Sequence, residues 1–447
     1  MQFRTVALIG LLVAFSASAG ATRYFGREAV VETEGYKSYV GYTVWQIVPT
    51  TDEQVHIVAR MSEALGIEFD FWKAPSRVGK AIDVMLAPEQ VRPALQYLQG
   101  KGLKPVNKIK DLGKHVARDL FAMQSYTPFK AGMAASDFDF DKYHSYDSII
   151  AWIESVATAN PTFVSIDTIG QSLQNREIKY LKIGYPSATK AEKNALFIDA
   201  GIHAREWIAP AAALYLINQL VTNSTYTSLL QAIDIIVVPE LNPDGYEYSR
   251  NSDRMWRKSR SGPRRGCYGA DINRNFPFKW MVAGSSNNPC SETYAGPSAL
   301  SEIEGQRLKA FLDPRNNTIK AYLTLHSYGE DILYPWGYTT GHYPPDVNDL
   351  KALGQEMFKA IKAVHGTEFE VGNSGDALYP ASGASDDYSK SIGIKYVYTV
   401  ELRPGEGDND NDQWYGFELP EKFIKPTVEE TLPALIAAAN RVQNGPL

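Results

Sequence analysis

The chain has 447 residues, of which 44% are apolar, 21% charged and 12% aromatic. That is the composition of a globular protein long enough for two or more domains. A formal net charge of −6 argues against a nucleic-acid-binding surface, which needs clustered cations. Beyond the N-terminus no stretch approaches the roughly 18 consecutive apolar residues that cross a bilayer, so no membrane partner is expected.

At the N-terminus, Arg4 precedes the apolar run from Val6 to Phe15, and Ala17-Ser18-Ala19 offers small residues for cleavage. This is the layout of a secretory signal peptide over residues 1–19, which predicts an extracellular protein. An oxidising compartment favours a disulfide between the only two cysteines, Cys267 and Cys290. Closing a loop of that size contributes about 3 kcal/mol in the chain-entropy account. Sequons at Asn223 and Asn316 are compatible with glycosylation.

A compact unit is expected from Tyr36 to Ile109. Val40 to Val48 reads as a strand rich in β-branched and aromatic residues. Asp52 to Leu65 has helical spacing behind a Thr-Thr-Asp start. Glu68 to Trp72 and Ala81 to Leu86 are short strands, Pro88 to Gly100 is a helix with Pro just inside its start, and Leu103 to Ile109 completes the set. The order β-α-β-β-α-β is that of a ferredoxin-like α+β module. It carries no catalytic constellation: His56 stands alone, and Glu68 with Asp70 reads as a solvated strand face. The connector, residues 110–130, exposes Lys114, Arg118 and Lys130 and is a natural site for cleavage by a trypsin-like protease.

From Tyr143 onward, helices alternate with apolar strands. Strands are expected at Lys179 to Ile183, Ala195 to Asp199, Ile233 to Val238, Ile319 to Leu325 and Tyr396 to Glu401. Helices are expected at Tyr146 to Asn160, Ala211 to Thr222, Ser301 to Asp313, Leu350 to His365 and Glu421 to Gln443. Such alternation predicts an α/β/α sandwich around a mixed, mostly parallel twisted sheet. In such sheets functional side chains gather where strands end.

His203 and Glu206 stand three positions apart on the turn leaving the strand at 195–199, so imidazole and carboxylate can face one centre. The pair alone is weak evidence, because a His near a carboxylate is more often structural. His326, at the end of Ala321-Tyr-Leu-Thr-Leu325, completes a His/Glu/His set suited to catalytic zinc with an open position. Glu401 ends another buried strand, and beside such a metal it can take a proton from water.

The chain also carries Gly201-Ile-His-Ala-Arg-Glu-Trp-Ile208, Pro239-Glu-Leu-Asn-Pro-Asp-Gly-Tyr246, Arg254-Met-Trp-Arg-Lys258, Gly269-Ala-Asp-Ile-Asn-Arg-Asn275, Leu325-His-Ser-Tyr328, Leu378-Tyr-Pro-Ala-Ser-Gly383 and Tyr398-Thr-Val-Glu-Leu-Arg403. Seven segments in this order resemble the funnelin-type zinc metallocarboxypeptidases of the A/B digestive subfamily, with signal peptide, prosegment and catalytic domain. The resemblance implies one Zn2+ per chain held by His203, Glu206 and His326, with Glu401 as general base. Arg257 matches the residue that stabilises the oxyanion. Asn273, Arg274 and Tyr379 match the clamp on the substrate's terminal carboxylate, where a planar guanidinium meets a carboxylate with paired hydrogen bonds. Arg205 and Tyr328 match accessory substrate-binding positions, and Cys267–Cys290 matches the family disulfide.

Asp386 occupies the position that is apolar in A-type enzymes and Asp in B-type enzymes. A carboxylate at the base of an enclosed pocket selects Lys or Arg. Two departures weigh on that reading: Gly337 is more like the A-type pocket wall, and Asn373-Ser-Gly-Asp-Ala-Leu378 adds Asp376 near the mouth. A third is the long acidic loop Pro404 to Trp414. Its alternating acids fail the calcium-loop pattern, because Gln413 and Leu419 stand where Gly and Glu are needed.

The expectation is a monomeric secreted zymogen: signal peptide 1–19, prosegment 20–130 with its globular part over 36–109, and catalytic domain 131–447. Activation at Lys130 or Arg118 would release an exopeptidase for C-terminal Lys and Arg, with its own prosegment as intramolecular inhibitor. The rivals are an A-type enzyme for aliphatic or aromatic termini, an inert peptide-binding protein, and a zinc amidase acting on small acylated amino acids.

Overall fold

The computed structural model describes residues 35–187, 189, 192–405 and 414–445, with the backbone of Thr22–Phe25 and Glu28–Val31. The expected signal peptide and residues 406–413 of the acidic loop lie outside the described residues.

The N-terminal unit follows the expected order: β1 (Thr43–Ile47), α1 (Asp52–Ala59), α2 (Met61–Leu65), β2 (Asp70–Lys73), β3 (Ile82–Leu86), α3 (Pro88–Gly100) and β4 (Val106–Ile109). Its four strands form an antiparallel sheet in the order β2-β3-β1-β4, the ferredoxin-like arrangement. Thr51 starts α1 by accepting a hydrogen bond from Gln54 N, with Asp52 and Glu53 in the first turn. The helix expected over 52–65 is two helices, broken at Arg60, and the break brings Met61 into the core beside Val58. The connector contains a helix, α4 (Leu112–Gln124), capped by Asp111.

The larger unit is built on an eight-stranded sheet. Its elements are α5 (Tyr146–Ala159), β5 (Val164–Gln171), β6 (Glu177–Ile183), β7 (Ala195–Ala200), α6 (Ile208–Thr222), β8 (Asp234–Val238), α7 (Pro243–Asn251), α8 (Ile303–Leu312), β9 (Ile319–Ser327), β10 (Asp331–Tyr334), α9 (Val347–His365), β11 (Glu370–Asn373), α10 (Ser385–Ser391), β12 (Tyr396–Leu402) and α11 (Ile424–Asn444). Strand order is β11-β10-β12-β9-β7-β8-β6-β5. The central run β12-β9-β7-β8 is parallel, and antiparallel pairs flank it on both sides.

The central strands are buried on both faces, so their sequences are continuous apolar runs rather than alternating ones. One face packs against α5, α6, α9 and α11 through residues such as Trp152, Ile217, Met357 and Leu435. The other packs against α8 and α10 through Leu308, Phe311 and Tyr388. The sandwich is therefore layered as expected. Strands β5, β10 and β11 and helices α7 and α10 were not expected.

Candidate active site

Four residues singled out from the sequence meet where the central strands end. Strand β7 stops at Ala200, and Gly201 turns the chain with φ of 75°; a Cβ there would run into the Glu240 carboxylate. That turn delivers His203 and Glu206 before α6 begins. In the adjoining parallel ladder His326 is in register with Glu401, so β9 and β12 present them side by side.

His203 Nδ1 lies 2.8 Å from Glu206 Oε1, His326 Nδ1 lies 3.0 Å from Glu206 Oε2, and the two Nδ1 atoms are 3.2 Å apart. All three residues are buried. Two imidazole lone pairs converging beside a carboxylate repel unless a cation sits among them. A tetrahedral ion at about 2.05 Å from each nitrogen would hold them about 3.3 Å apart, so the donor set fits zinc. Among the described residues this is the only group of three or more His, Cys, Asp or Glu side chains so converged.

The opposite edge of each imidazole is also held. His203 Nε2 faces Asp271 Oδ1 at 3.0 Å, while Asp271 Oδ2 accepts from Arg257 Nε and Nη2 at 3.1 and 2.9 Å. His326 Nε2 faces Thr324 Oγ1 at 3.2 Å, and that hydroxyl donates to Asp199 Oδ1 at 2.8 Å. With Nε2 of each ring so engaged, both rings turn Nδ1 toward the centre. Burial opposes the charge on Asp271, but Arg257, followed by His203, holds its carboxyl well below the ordinary range. Burial pushes Asp199 up to about 6.

Arg257 Nη1 stands 3.6 Å from Glu206 Oε1, so its guanidinium borders the cluster. Glu401 is partly buried in the same cavity, and burial pushes its carboxyl up to about 7 against the pull of His326. A carboxyl poised near neutrality beside a polar cavity suits proton transfer.

That cavity, of about 530 Å³, continues past Asn273, Arg274 and Tyr379 to Asp386. Arg274 donates to Gly284 O, Asn273 O and Tyr379 Oη at 3.0, 2.9 and 3.3 Å. Asn273 Oδ1 accepts from Ser385 N at 2.8 Å. Asp386 is 3% exposed; its Oδ2 accepts from Thr399 Oγ1 at 3.0 Å and its Oδ1 from Asp387 N at 2.8 Å. Among the described residues no Lys or Arg forms an ion pair with it, and burial raises its pKa.

The N-terminal unit roofs the other side of the cleft. Arg205, 1% exposed, donates from Nη1 and Nη2 to Asp70 of β2 at 2.7 and 3.2 Å. Tyr328 Oη donates to Asp83 of β3 at 3.1 Å, and Arg254 Nε donates to Asp119 of α4 at 3.2 Å. Trp72, Leu112 and Val116 join Tyr328, Trp414 and Phe417 in one apolar cluster that crosses between the units. At the rim, Arg77 pairs with Glu370 at 2.8 Å and Lys80 pairs with the same carboxylate. Asp70 is therefore not the solvated strand face that its sequence context predicts, because its partner lies 135 residues away.

Residues 149–434 match the family described as zinc carboxypeptidase, and residues 45–119 match the carboxypeptidase activation peptide. The chain belongs to the zinc carboxypeptidases. It is 45% identical over 310 residues to carboxypeptidase B of Astacus astacus, an alignment covering 68% of this chain and 99% of that one. It is 34% identical over 415 residues to carboxypeptidase A2 of Rattus norvegicus, covering 92% and 96%. The crystal structure of carboxypeptidase A from Helicoverpa armigera superposes with a TM-score of 0.81 at 31% identity, covering 91% of this chain and 98% of that one.

As a zinc carboxypeptidase with an activation peptide, the chain is a metallocarboxypeptidase using one zinc ion, and His203, Glu206 and His326 form the cluster that fits it. The activation peptide lies over the cleft as an intramolecular inhibitor. Cys267 and Cys290 form the expected disulfide. Every site residue named from sequence lines this cleft or its roofed side. Missed were Asp271 and Arg254, although both stand inside matched motifs, and the prosegment acids Asp70, Asp83 and Asp119, which no local pattern marks. Among the described residues, no helix is long and apolar enough to cross a membrane.

Proposed function

We propose that this carboxypeptidase is a secreted, monomeric zymogen whose activated form removes single Lys or Arg residues from the C-termini of peptides and proteins. In this reading residues 1–19 are a signal peptide, 20–130 the prosegment and 131–447 the catalytic domain. Lys130 is exposed in an irregular segment, whereas Arg118 lies within α4 and is bound to Asp119 and the Glu418 carbonyl. That contrast supports activation at Lys130 by a trypsin-like protease.

His203, Glu206 and His326 hold the metal. Zinc, when bound, acidifies water and polarises a peptide carbonyl. Glu401 accepts the proton of the attacking water on its carboxylate and returns it to the leaving amine. Arg257 faces the oxyanion, its orientation fixed by Asp271. Asn273, Arg274 and Tyr379 bind the terminal carboxylate and so set the register at the last peptide bond. Arg205 and Tyr328, once freed from Asp70 and Asp83, bind upstream residues of the substrate.

The preference for basic termini is carried by Asp386, a buried carboxylate at one end of the substrate cavity with no cation partner among the described residues. A buried unpaired charge is costly, and a Lys or Arg side chain supplies what it lacks. The A-type alternative draws support from Gly337 and from relatives of both kinds. Kinetics of the trypsin-activated enzyme on peptides ending in Arg, Lys, Phe or Leu separates the two. Basic termini should be favoured by roughly 10²-fold or more in kcat/KM, and faster turnover of Phe would contradict the reading. A chelator should abolish activity and added zinc restore it; absence of stoichiometric zinc in the purified protein would revive an inert binding protein.

A further inference from the structure

A row of charged side chains runs outward from the metal cluster across four neighbouring strands. His326 of β9 is in register with Glu401 of β12, Glu401 with Asp331 of β10, and Asp331 with Glu370 of β11. Residues directly opposite each other project to one face of the sheet, and His326, Glu401 and Asp331 all line the substrate cavity. One step deeper, Leu333 pairs with Thr399, whose hydroxyl donates to Asp386. Asp331 is therefore level with Glu401 and outside the pocket that holds Asp386.

Asp331 is 6% exposed, and among the described residues its carboxylate accepts no hydrogen bond and forms no ion pair. Gly329 makes room for it, since a Cβ there would come within 2.5 Å of Asp331 Oδ2. The cations that face this carboxylate belong to the prosegment. Burial pushes its carboxyl up to about 7 against the pull of Lys73 and Lys80; Glu370 adds to the rise and Arg77 opposes it. Lys73 and Lys80 line the same cavity, and the Lys73 ammonium stands 5.0 Å from the centre of the Tyr328 ring. Arg77 and Lys80 pair with Glu370, the next acid along the row. In the zymogen this wall is thus covered by cations, and they are lost when the prosegment departs.

We infer that Asp331 is a specificity-determining residue for the penultimate position of the substrate: its carboxylate takes the ammonium or guanidinium of a Lys or Arg that precedes the residue to be removed. The inference rests on the reading that the prosegment leaves on activation and that Glu401 marks the reacting bond; it does not depend on Asp386. A buried carboxylate without a partner is costly, so the activated enzyme gains when the substrate brings a cation to replace those of the prosegment. An acidic penultimate residue instead sets like charges side by side, which is unfavourable. If Asp331 were only a latch for the prosegment, it would have no influence on the activated enzyme.

The test measures kcat/KM of trypsin-activated wild type, Asp331→Asn and Asp331→Glu on peptides ending in Arg whose penultimate residue is Lys, Leu or Glu. A second set ending in Phe keeps the comparison independent of Asp386. Wild type should favour Lys over Leu, and Leu over Glu, at the penultimate position. Asp331→Asn should lower the Lys-to-Leu ratio about tenfold, the effect expected for one hydrogen bond to a charged group, and should raise the Glu-to-Leu ratio. Asp331→Glu keeps the charge and should retain most of the preference, whereas a merely structural defect lowers all peptides alike. A wild-type Lys-to-Leu ratio near one, an unchanged ratio in Asp331→Asn, or an equal fall for every peptide overturns the inference. Failure of trypsin to release any activity in wild type would overturn the zymogen reading together with it, so the two failures are distinguishable.

Discussion

The upstream and chain-end halves of the cleft both bury arginines, yet they satisfy them from different sources. Upstream, Arg205 takes a prosegment carboxylate, Asp70, Arg254 Nε is shared between prosegment Asp119 at 3.2 Å and Glu418 of the larger unit at 3.1 Å, and Tyr328 donates to prosegment Asp83. At the chain end, Arg274 is bound to Gly284, Asn273 and Tyr379, all within the larger unit. A buried charge needs a partner wherever it lies. In the proposed reading the prosegment carboxylates leave on activation, and the substrate takes over the donors of Arg205 and Tyr328. At the chain end Arg274 is held by the larger unit alone, so its setting does not depend on the prosegment. On that reading inhibition and catalysis depend on different arginines.

The largest expected effect separates them. Arg274→Ala should lower kcat/KM of the activated enzyme by on the order of 10²–10³-fold, the loss typical of one member of a buried charged pair. It should leave the prosegment as firmly seated as in wild type, read as resistance of the zymogen to further proteolysis. An Arg274 variant that loosens the prosegment would erase the distinction between the two halves.

Asp70→Asn should do the reverse. It weakens two charge-assisted hydrogen bonds to Arg205 and should raise the activity of uncleaved zymogen toward a long peptide by roughly 10- to 100-fold. Activated enzyme made from this variant should match wild type, because Asp70 departs with the prosegment. The paired assay before and after trypsin reads both outcomes.

The Asp119 contact adds a pH dependence. Burial opposes its ionisation, but Arg118 and Arg254 hold its carboxyl below the ordinary value of 3.8. A depressed carboxyl contributes stability that is complete above its unfolded pKa and is lost as pH falls through the lower folded value. Docking through this pair should therefore be level from neutral pH to about 4 and weaken below that. Tryptophan fluorescence reports it, since Trp72 of the prosegment stacks on Trp414 at 6.2 Å. Asp119→Asn should flatten the acid limb.

Tyr328→Phe is the mildest change. It removes one hydrogen bond to Asp83 while keeping the ring against Trp72 and Phe417, so zymogen activity should rise by less than about tenfold. A larger rise would mean that the hydroxyl, rather than Asp70, governs the upstream half.

Much of this was legible in the sequence where local pattern and burial agree. The central strands at 195–200, 319–327 and 396–402 are apolar runs with His203 on the turn just after the first and His326 and Glu401 at the ends of the other two, so both the layered fold and the candidate ligands could be read from them. Edge strands escaped because they lack that signature: Val164–Gln171 mixes exposed polar residues along its length, and Glu370–Asn373 has only four residues. Helix Pro243–Asn251 escaped because it is short and polar, started by Pro243 and the Asn242 cap. The acids at Asp70, Asp83 and Asp119 could not be read, since each acquires its meaning from a partner 135 to 245 residues away. Asp271 differs, because it stands within a matched motif and its link to both His203 and Arg257 needed only the geometry.

The division between the two halves is tested most directly on the uncleaved, zinc-loaded zymogen. Its turnover of a blocked single amino acid ending in Arg is compared with that of a long peptide ending in Arg, and both are repeated after trypsin. Because the chain-end cavity persists beneath the prosegment while the upstream donors are taken, the account predicts measurable zymogen activity on the small substrate and almost none on the long one. Trypsin should release the long-peptide activity. A zymogen equally silent toward both substrates would contradict it.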